Sequence, residues 1–184
     1  VALITDMDTP LGHAIGNSLE VIESMDVLKG HGPADLTEVS LQLAANMLYL
    51  VGKGSSEECR AMAEKSIADR SAFECFASMV EAQGGDSSVL RDPEKFAKAP
   101  YSGEVKAERD GYIVKMNAEE CGIASVVVGA GRETKESAID VAAGIRMKKK
   151  YGEAVKKGET LAILYTSKKD TLAEAERMYK EAVV

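Results

Sequence analysis

The carboxylates of Asp6 and Asp8, with Met7 between them, are the side chains near the start of the chain best suited to ligand chemistry. They follow an apolar run at residues 1–4 that predicts a buried β-strand. Open α/β sheets bind ligands at the carboxyl ends of their strands, where a carboxylate can orient a ligand or bind a cation. A turn or capping role for the same two carboxylates is the alternative that the sequence leaves open.

Two glycines, Gly12 and Gly16, lie between this strand and an amphipathic stretch that predicts a helix. Backbone N–H groups at the start of a helix point toward bound anions, so this loop could hold a phosphate. The spacing is not that of a dinucleotide-binding motif, and the loop lacks the lysine of a P-loop. The pattern therefore favours glycines that let the strand turn tightly into its helix.

A cation site is predicted where the second helix ends. Its last carbonyls, those of Leu48 and Val51, carry partial negative charge, and the carboxylate of Glu58 opens the next helix. Together these oxygens could surround a monovalent cation. Glu58 also stands three residues after Ser55, which is the spacing of a capping box, and this structural role is the alternative.

The histidines and the lysine before Met116 give weaker patterns. His13 and His31 are the two histidines, and neither has the neighbours typical of a nucleophilic or metal site, so we expect loop residues. Lys115 precedes a methionine and so resembles the lysine that carries biotin, but Val114 stands where that motif has a second methionine. We therefore expect Lys115 to be unmodified.

The composition is that of an ordinary globular protein, since 45% of the 184 residues are hydrophobic and 29% are charged. A net charge of −7 argues against a nucleic-acid surface, and the basic run at residues 148–150 lies among acidic residues and predicts a solvated face. The sequence has no apolar run of the roughly 18 residues that a membrane span needs. Three widely spaced cysteines indicate reduced thiols, so we expect a cytoplasmic protein; they are Cys59, Cys75 and Cys121.

The elements that position these residues change in character along the chain. Residues 1–86 predict one strand and four helices, and the second helix is apolar round much of its circumference, which predicts burial between neighbours. Its main stripe comprises Leu36, Val39, Leu43, Met47 and Leu50. One strand cannot form a sheet, so we expect its partner strands to lie in sequence that this chain lacks.

A polar, irregular stretch at residues 86–100 predicts a domain boundary. Residues 100–184 predict a small α+β domain, with helices at residues 118–128 and 171–182 and a helical candidate at residues 139–144. Between residues 152 and 165 the pattern G-x-x-V-x-x-G-x-x-L predicts short strands and resembles the hammerhead strands of biotinyl and lipoyl carrier domains. The predicted fold class is α/β, as one strand plus helices, followed by this α+β domain.

Several segments resemble the pyrimidine-nucleoside phosphorylase and thymidine phosphorylase family, in the order in which that family has them. They are Leu3-Ile-Thr-Asp-Met-Asp-Thr-Pro-Leu-Gly-His-Ala-Ile-Gly16, Leu28-Lys-Gly-His-Gly-Pro-Ala-Asp-Leu-Thr-Glu38, Gln83-Gly-Gly-Asp86, Gly122-Ile-Ala-Ser125, Gly129-Ala-Gly-Arg132 and Lys156-Lys-Gly158-Glu. The resemblance covers essentially the whole chain. It implies that residues 1–90 are the C-terminal part of the phosphorylase α/β domain, and that residues 100–184 are the C-terminal α+β domain.

The resemblance implies a pentosyltransferase, in which phosphate attacks the anomeric carbon of uridine or thymidine and releases the free base and a pentose 1-phosphate. Inorganic phosphate is then the co-substrate, no organic cofactor is needed, and the complete enzyme is a homodimer. By the same resemblance Asp6 and Met7 line the substrate, and Leu48, Val51 and Glu58 complete a potassium site. The family's phosphate loop and base-gripping residues match nothing in this chain. We therefore assign it no catalytic residue and expect it to be inactive alone.

A free-standing binding or docking module, with a biotinyl- or lipoyl-like hammerhead domain, is the alternative hypothesis. It predicts a lysine adduct, or saturable binding of a partner by the chain itself. The enzyme hypothesis instead predicts that nucleoside phosphorolysis requires sequence outside these 184 residues.

Overall fold

A computed structural model describes residues 1–132 and 134–184. The chain divides into two compact units: the first comprises Val1–Thr5 and Ile22–Lys95, and the second comprises Asp6–Val21 and Phe96–Val184. The assignment of residues 1–90 and 100–184 to two domains of the phosphorylase family stays a prediction. None of the helices in the described part of the chain has the length and apolar character that a bilayer crossing requires.

The first unit is helical. Its helices are α1 (Asn17–Leu28, which begins in the second unit), α2 (Ala34–Leu50), α3 (Ser56–Ala68), α4 (Ser71–Ala82) and the short α5 (Ser88–Arg91). The helix α2 packs along α3. The buried residues of this unit include Met25, Val27, Leu41, Ala45, Cys59, Ala63, Phe73, Ala77 and Leu90. The four helices predicted for residues 1–86 are thus confirmed, and α5 is an additional short helix after them.

The strand predicted at residues 1–4 is wrong. Residues Val1–Thr5 have no regular secondary structure, and the side chain of Ile4 is fully exposed. A strand forms when its N–H and C=O groups pair with a neighbouring strand, and among the described residues no strand pairs with this segment. The apolar pattern alone therefore does not produce the strand here.

The prediction that α2 is buried between neighbours is confirmed for one side of the helix and wrong for the other. Leu41 and Ala45 face the helices of the first unit and are buried, whereas Leu43, Met47 and Leu50 are exposed. The last three residues of the apolar stripe predicted for this helix are thus uncovered.

The second unit is an α+β fold, as predicted. Its strands are β1 (Ala14–Ile15), β2 (Tyr101–Lys106), β3 (Gly111–Tyr112), β4 (Gly144–Met147), β5 (Ala154–Val155) and β6 (Thr160–Thr166). Four of them form an antiparallel sheet in the order β1-β4-β6-β2, and β3 pairs with β5. The helices α6 (Ala118–Val127) and α7 (Leu172–Ala182) pack against each other. The buried core of this unit includes Val105, Cys121, Ile145, Met147, Leu164 and Tyr179.

The predicted helices at residues 118–128 and 171–182 are confirmed as α6 and α7, but the helical candidate at residues 139–144 is wrong. Instead, the carboxylate of Asp140 accepts a 3.0 Å hydrogen bond from the N–H of Ala142, and Gly144 opens β4. Aspartate side chains that bind nearby backbone in this way compete with helix formation. The predicted strands near residues 154 and 160 are confirmed, while the hammerhead resemblance stays a prediction.

A close contact between two glycines brings β1 and β4 together within the sheet of the second unit. Gly16 has a φ of +129°, and a Cβ there would lie 2.5 Å from the carbonyl oxygen of Ala143. A Cβ on Gly144 would lie 2.3 Å from the carbonyl oxygen of Ile15. Side chains are sterically excluded at both positions, so β1 and β4 can approach this closely because both residues are glycine.

Candidate functional site

The loop that carries Asp6 and Met7 belongs to the second unit and leads into β1. Oδ1 of Asp6 accepts a 2.8 Å hydrogen bond from the backbone N–H of Asp8, which closes a turn of the Asx type. The carbonyl of Asp8 accepts a 3.0 Å bond from the N–H of Ala118 at the start of α6. The side chains of Asp6 and Met7 are exposed. The turn role that the sequence left open for Asp6 is therefore present, and the substrate role of both residues stays a prediction.

Lys150 fixes the next part of the same loop. Its ammonium group donates hydrogen bonds to the carbonyls of Pro10 and Gly12, the latter at 2.6 Å. His13 follows, and its carbonyl accepts a 2.7 Å bond from the N–H of Met147 in β4. The prediction of a solvated face at residues 148–150 is wrong for Lys150, because its charge binds two backbone carbonyls and the side chain is half-buried. The loop is thus held at several points of its backbone.

A groove of about 340 Å³ lies beside this loop within the second unit. Met7 and Asp8 line one side, and Lys115 and the first residues of α6 line the other. The N-terminus of a helix and an ammonium group both favour negative charge. The carboxylates of Asp8 and Glu119 line the same groove, so it presents both charges beside the flexible, apolar side chain of Met7.

Lys115 is not presented as a carrier lysine would be. Its N–H donates to the carbonyl of Val184 at 3.0 Å, and its carbonyl accepts the N–H of Val184 at the same distance. Its ammonium nitrogen lies 3.8 Å from the carboxylate of Glu120. A lysine that receives biotin needs a hairpin turn to present it, and Lys115 lies instead in a segment paired with the last residue of the chain.

The start of α1, which the sequence marked as a possible phosphate site, is occupied by groups of the protein itself. The N–H of Gly16 donates to the carboxylate of Glu20 at 2.9 Å, and the N–H of Ser18 donates to the carbonyl of Val141 at 3.1 Å. The carboxylate also lies where the helix dipole favours an anion. These N–H groups are engaged, which agrees with the turn-forming role that the pattern favoured for the glycines.

Glu58 caps α3. The N–H of Ser55 donates to Oε2 of Glu58 at 2.8 Å, and the N–H of Glu58 donates to Oγ of Ser55 at 3.2 Å, which completes a capping box. The carbonyl of Leu48 accepts the N–H of Lys53 at 3.1 Å. Within residues 1–132 and 134–184, no three His, Cys, Asp or Glu side chains are grouped to hold a metal ion. The capping alternative is therefore confirmed, and the cation site of Leu48, Val51 and Glu58 stays a prediction.

Two buried groups in the second unit are core residues rather than reactive ones. Burial raises the pKa of the Cys121 thiol to about 11, and the carboxylate of Glu120 adds to this effect. A thiol that is protonated at neutral pH is a poor nucleophile. Burial likewise raises the pKa of Tyr179, whose hydroxyl has no hydrogen-bond partner among the described residues.

Sequence reasoning missed two residues that shape this region, Glu20 and Lys150. A glutamate shortly after a glycine at a helix start is a signal that could have identified Glu20, because such carboxylates often bind N-terminal N–H groups. Lys150 is 138 residues from Gly12, and no local pattern connects them.

Comparisons with known proteins show which proteins this chain is similar to. Residues 112–184 match the family model described as the pyrimidine nucleoside phosphorylase C-terminal domain. The chain is 47% identical over 181 residues to the pyrimidine-nucleoside phosphorylase of Geobacillus stearothermophilus. This alignment covers 98% of the chain and 42% of that protein. It is 45% identical over 171 residues to the enzyme of the same name from Staphylococcus epidermidis, and 43% identical over 171 residues to that of Staphylococcus aureus. Each of these two alignments covers 92% of this chain and 40% of the relative.

The chain thus spans about two fifths of the length of the curated relatives that it matches. The aligned region also extends well ahead of the matched domain, so that it spans the loop of Asp6 and Met7 and the helices of the first unit. Along nearly its whole length, the chain is therefore similar to pyrimidine-nucleoside phosphorylases, and its residues 112–184 match the model of their C-terminal domain.

Proposed function

We propose that this chain is the C-terminal portion of a pyrimidine-nucleoside phosphorylase. The complete enzyme transfers the pentose of uridine or thymidine to inorganic phosphate, which releases the free base and a pentose 1-phosphate. The observation that carries this proposal is the 47% identity to a pyrimidine-nucleoside phosphorylase over 98% of the chain. Phosphorolysis needs groups that hold phosphate and the departing base, and we propose that the remainder of the protein supplies them, so that this chain alone is inactive.

In this proposal Asp6 and Met7 line the substrate. Their loop is bound by Lys150 and by the N-terminus of α6, so its backbone is ordered before a ligand arrives. A site that is already in place loses less conformational entropy on binding, which favours positioning of the nucleoside. The exposed side chains leave room for a substrate held between this loop and residues of the remainder of the protein.

The experiment that tests the proposal is a chimera. This chain replaces the matched C-terminal region of the Geobacillus stearothermophilus relative, and base release from uridine and thymidine is measured in phosphate buffer. We expect the chimera to be active and the isolated 184 residues to be inactive. A folded chimera that cleaves neither nucleoside would contradict the proposed activity, and phosphorolysis by the isolated chain would contradict its inactivity.

We further propose that Leu48, Val51 and Glu58 contribute to a potassium site in the complete protein. The support is the placement of these residues at the end of α2 and the start of α3, where carbonyl oxygens and a carboxylate come from adjacent helix termini. A Glu58→Gln change is a sharp test, since glutamine keeps the capping box but removes the charge. We expect potassium to raise the melting temperature of the chimera through linkage, and to do so less in Glu58→Gln than in the Glu57→Gln control. An equal response of both variants would leave Glu58 as a cap.

We also propose that the complete protein is a homodimer of the cytoplasm. The three cysteines are free, one of them exposed, which suits a reducing compartment. Sedimentation of the chimera measures its subunit number directly, and a monomer that is active would contradict the dimer.

A further inference from the structure

The helix α2 presents three faces of different character. One face is buried in the first unit and includes Leu41 and Ala45. A second face is polar and includes Glu38, Gln42 and Asn46. The third, which we name the α2 apolar face, consists of Val39, Leu43, Met47 and Leu50, and it points away from the buried face because of the helical spacing.

The α2 apolar face is open to solvent over most of its length. The exposed fractions are 45% for Leu43, 62% for Met47 and 61% for Leu50. Val51, the residue after the helix, continues this surface with an exposed fraction of 69%. Single exposed apolar residues are common, but a contiguous row of this kind marks an interaction surface.

The polar side chains of the same helix already form hydrogen bonds within the first unit. Glu38 binds the guanidinium group of Arg60 through both carboxylate oxygens, at 2.9 and 2.7 Å, and accepts a 2.8 Å bond from Gln42. Asn46 donates to the carbonyl of Gln42 at 2.8 Å. The charged groups of α2 are therefore turned to one side, and none of them interrupts the apolar face.

The length of the relatives indicates what covers this face. The matched relatives are more than twice as long as this chain, and the match includes their C-terminal domain, so most of their additional sequence lies ahead of the matched region. The first unit also contains residues 1–4, whose apolar side chains are exposed. They form a second uncovered apolar surface in this unit.

A second copy of the chain is a poorer occupant. The face spans about 16 Å of helix and is about 10 Å wide, from the rise and diameter of an α-helix. Stable specific dimers bury roughly 800 Å² on each partner, which a contact between two such faces does not reach. A larger partner that covers α2 together with other elements fits the size better.

We propose that the α2 apolar face is the docking surface for the N-terminal portion of the phosphorylase, and that the two portions assemble through it even when they are separate chains. The inference rests on the family relationship and not on the activity. Association then buries Leu43, Met47 and Leu50 in a common apolar core.

The test is co-expression of the full 184-residue chain with a tagged N-terminal portion, namely the part of the Geobacillus stearothermophilus relative that precedes its matched region. We expect the two to co-purify in equal amounts. Leu43→Glu and Met47→Glu should each weaken binding by about tenfold or more, because a charge would then be buried without a partner. Ile123→Glu on α6 is the matched control, since Ile123 is 47% exposed and lies in the other unit. It should bind as the parent chain does.

A second measurement needs no substitution. Mild hydrogen peroxide converts exposed methionines to sulfoxides, and peptide mass spectrometry gives the rate for each residue. In the chain alone Met47 should react almost as fast as the exposed Met7, while the fully buried Met25 should not react. In the complex the reaction of Met47 should slow severalfold.

The inference would be overturned by the absence of a complex with a soluble N-terminal portion, by equal binding of Leu43→Glu and Ile123→Glu, or by unchanged oxidation of Met47 in the complex. Self-association of the isolated chain that Met47→Glu abolishes would also overturn it, because the occupant would then be a second copy. A complex that forms through this face but cleaves no nucleoside would support the docking surface and contradict the proposed activity.

Discussion

Replacing Lys150 with methionine should loosen the loop that carries Asp6 and Met7. The substitution keeps most of the apolar stem but removes two hydrogen bonds, to the carbonyls of Pro10 and Gly12. A hydrogen bond from a charged donor contributes about 1.5–3 kcal/mol, and because Lys150 is half-buried we take the low end for each, or about 3 kcal/mol in total. For a chain of this size that loss lowers the melting temperature by about 6–12 °C.

The assay is thermal unfolding followed by circular dichroism, with Lys148→Met as the matched control. Lys148 belongs to the same basic run and its side chain is exposed, so its replacement should leave the melting temperature unchanged. In the chimera, Lys150→Met should also raise the KM for nucleoside, because the loop would lose its preorganised backbone. Equal melting temperatures for the two variants would refute the role of Lys150 as the attachment of this loop.

Three further predictions test the packing and the electrostatics. Gly16→Ala should destabilise the chain by about 3 kcal/mol, because the new Cβ would overlap a carbonyl oxygen. Gly122→Ala within α6 should instead stabilise the chain by about 0.5–1 kcal/mol. Urea unfolding measures both changes, and a Gly16→Ala variant as stable as the parent chain would contradict the close contact. Tyr179→Phe should be neutral or stabilising by about 1 kcal/mol, since it removes a buried hydroxyl without a hydrogen-bond partner among the described residues, and a clear loss in the same assay would reveal a partner. Hydrogen bonds from the Arg60 guanidinium lower the pKa of Glu38 from 4.5 to about 2, so its stabilising effect should be complete above pH 4.5 and be lost as the pH falls toward 2. The difference in stability between the parent chain and Glu38→Gln should therefore disappear over that interval, and a difference that persists at pH 2 would contradict this assignment.

The helices could be predicted from the sequence because their signals are local. The stripe of α2 repeats every three to four residues, and the capping box of Ser55 and Glu58 lies within four residues of chain. The predicted α+β character of residues 100–184 had the same basis, since short β-forming runs alternate there with glycine turns.

The failures arose where a structure depends on distant partners. An apolar run at residues 1–4 predicts a strand, but a strand also needs a neighbour to bind its backbone, and the local pattern contains no information on that neighbour. Periodicity likewise showed that α2 is apolar on two sides without showing what covers each side. The attachment by Lys150 was not predictable at all, because it joins residues 138 positions apart.

The exposed apolar segment at residues 1–4 has a practical consequence for handling the protein. Residues 1–4 lack proline, glycine and charged side chains, and they are exposed and outside any strand or helix. Such segments pair edge to edge and promote aggregation, which proteins ordinarily prevent with a lysine or a proline. At high concentration, molecules of this chain should therefore aggregate through residues 1–4, and Ile4→Lys should prevent this aggregation.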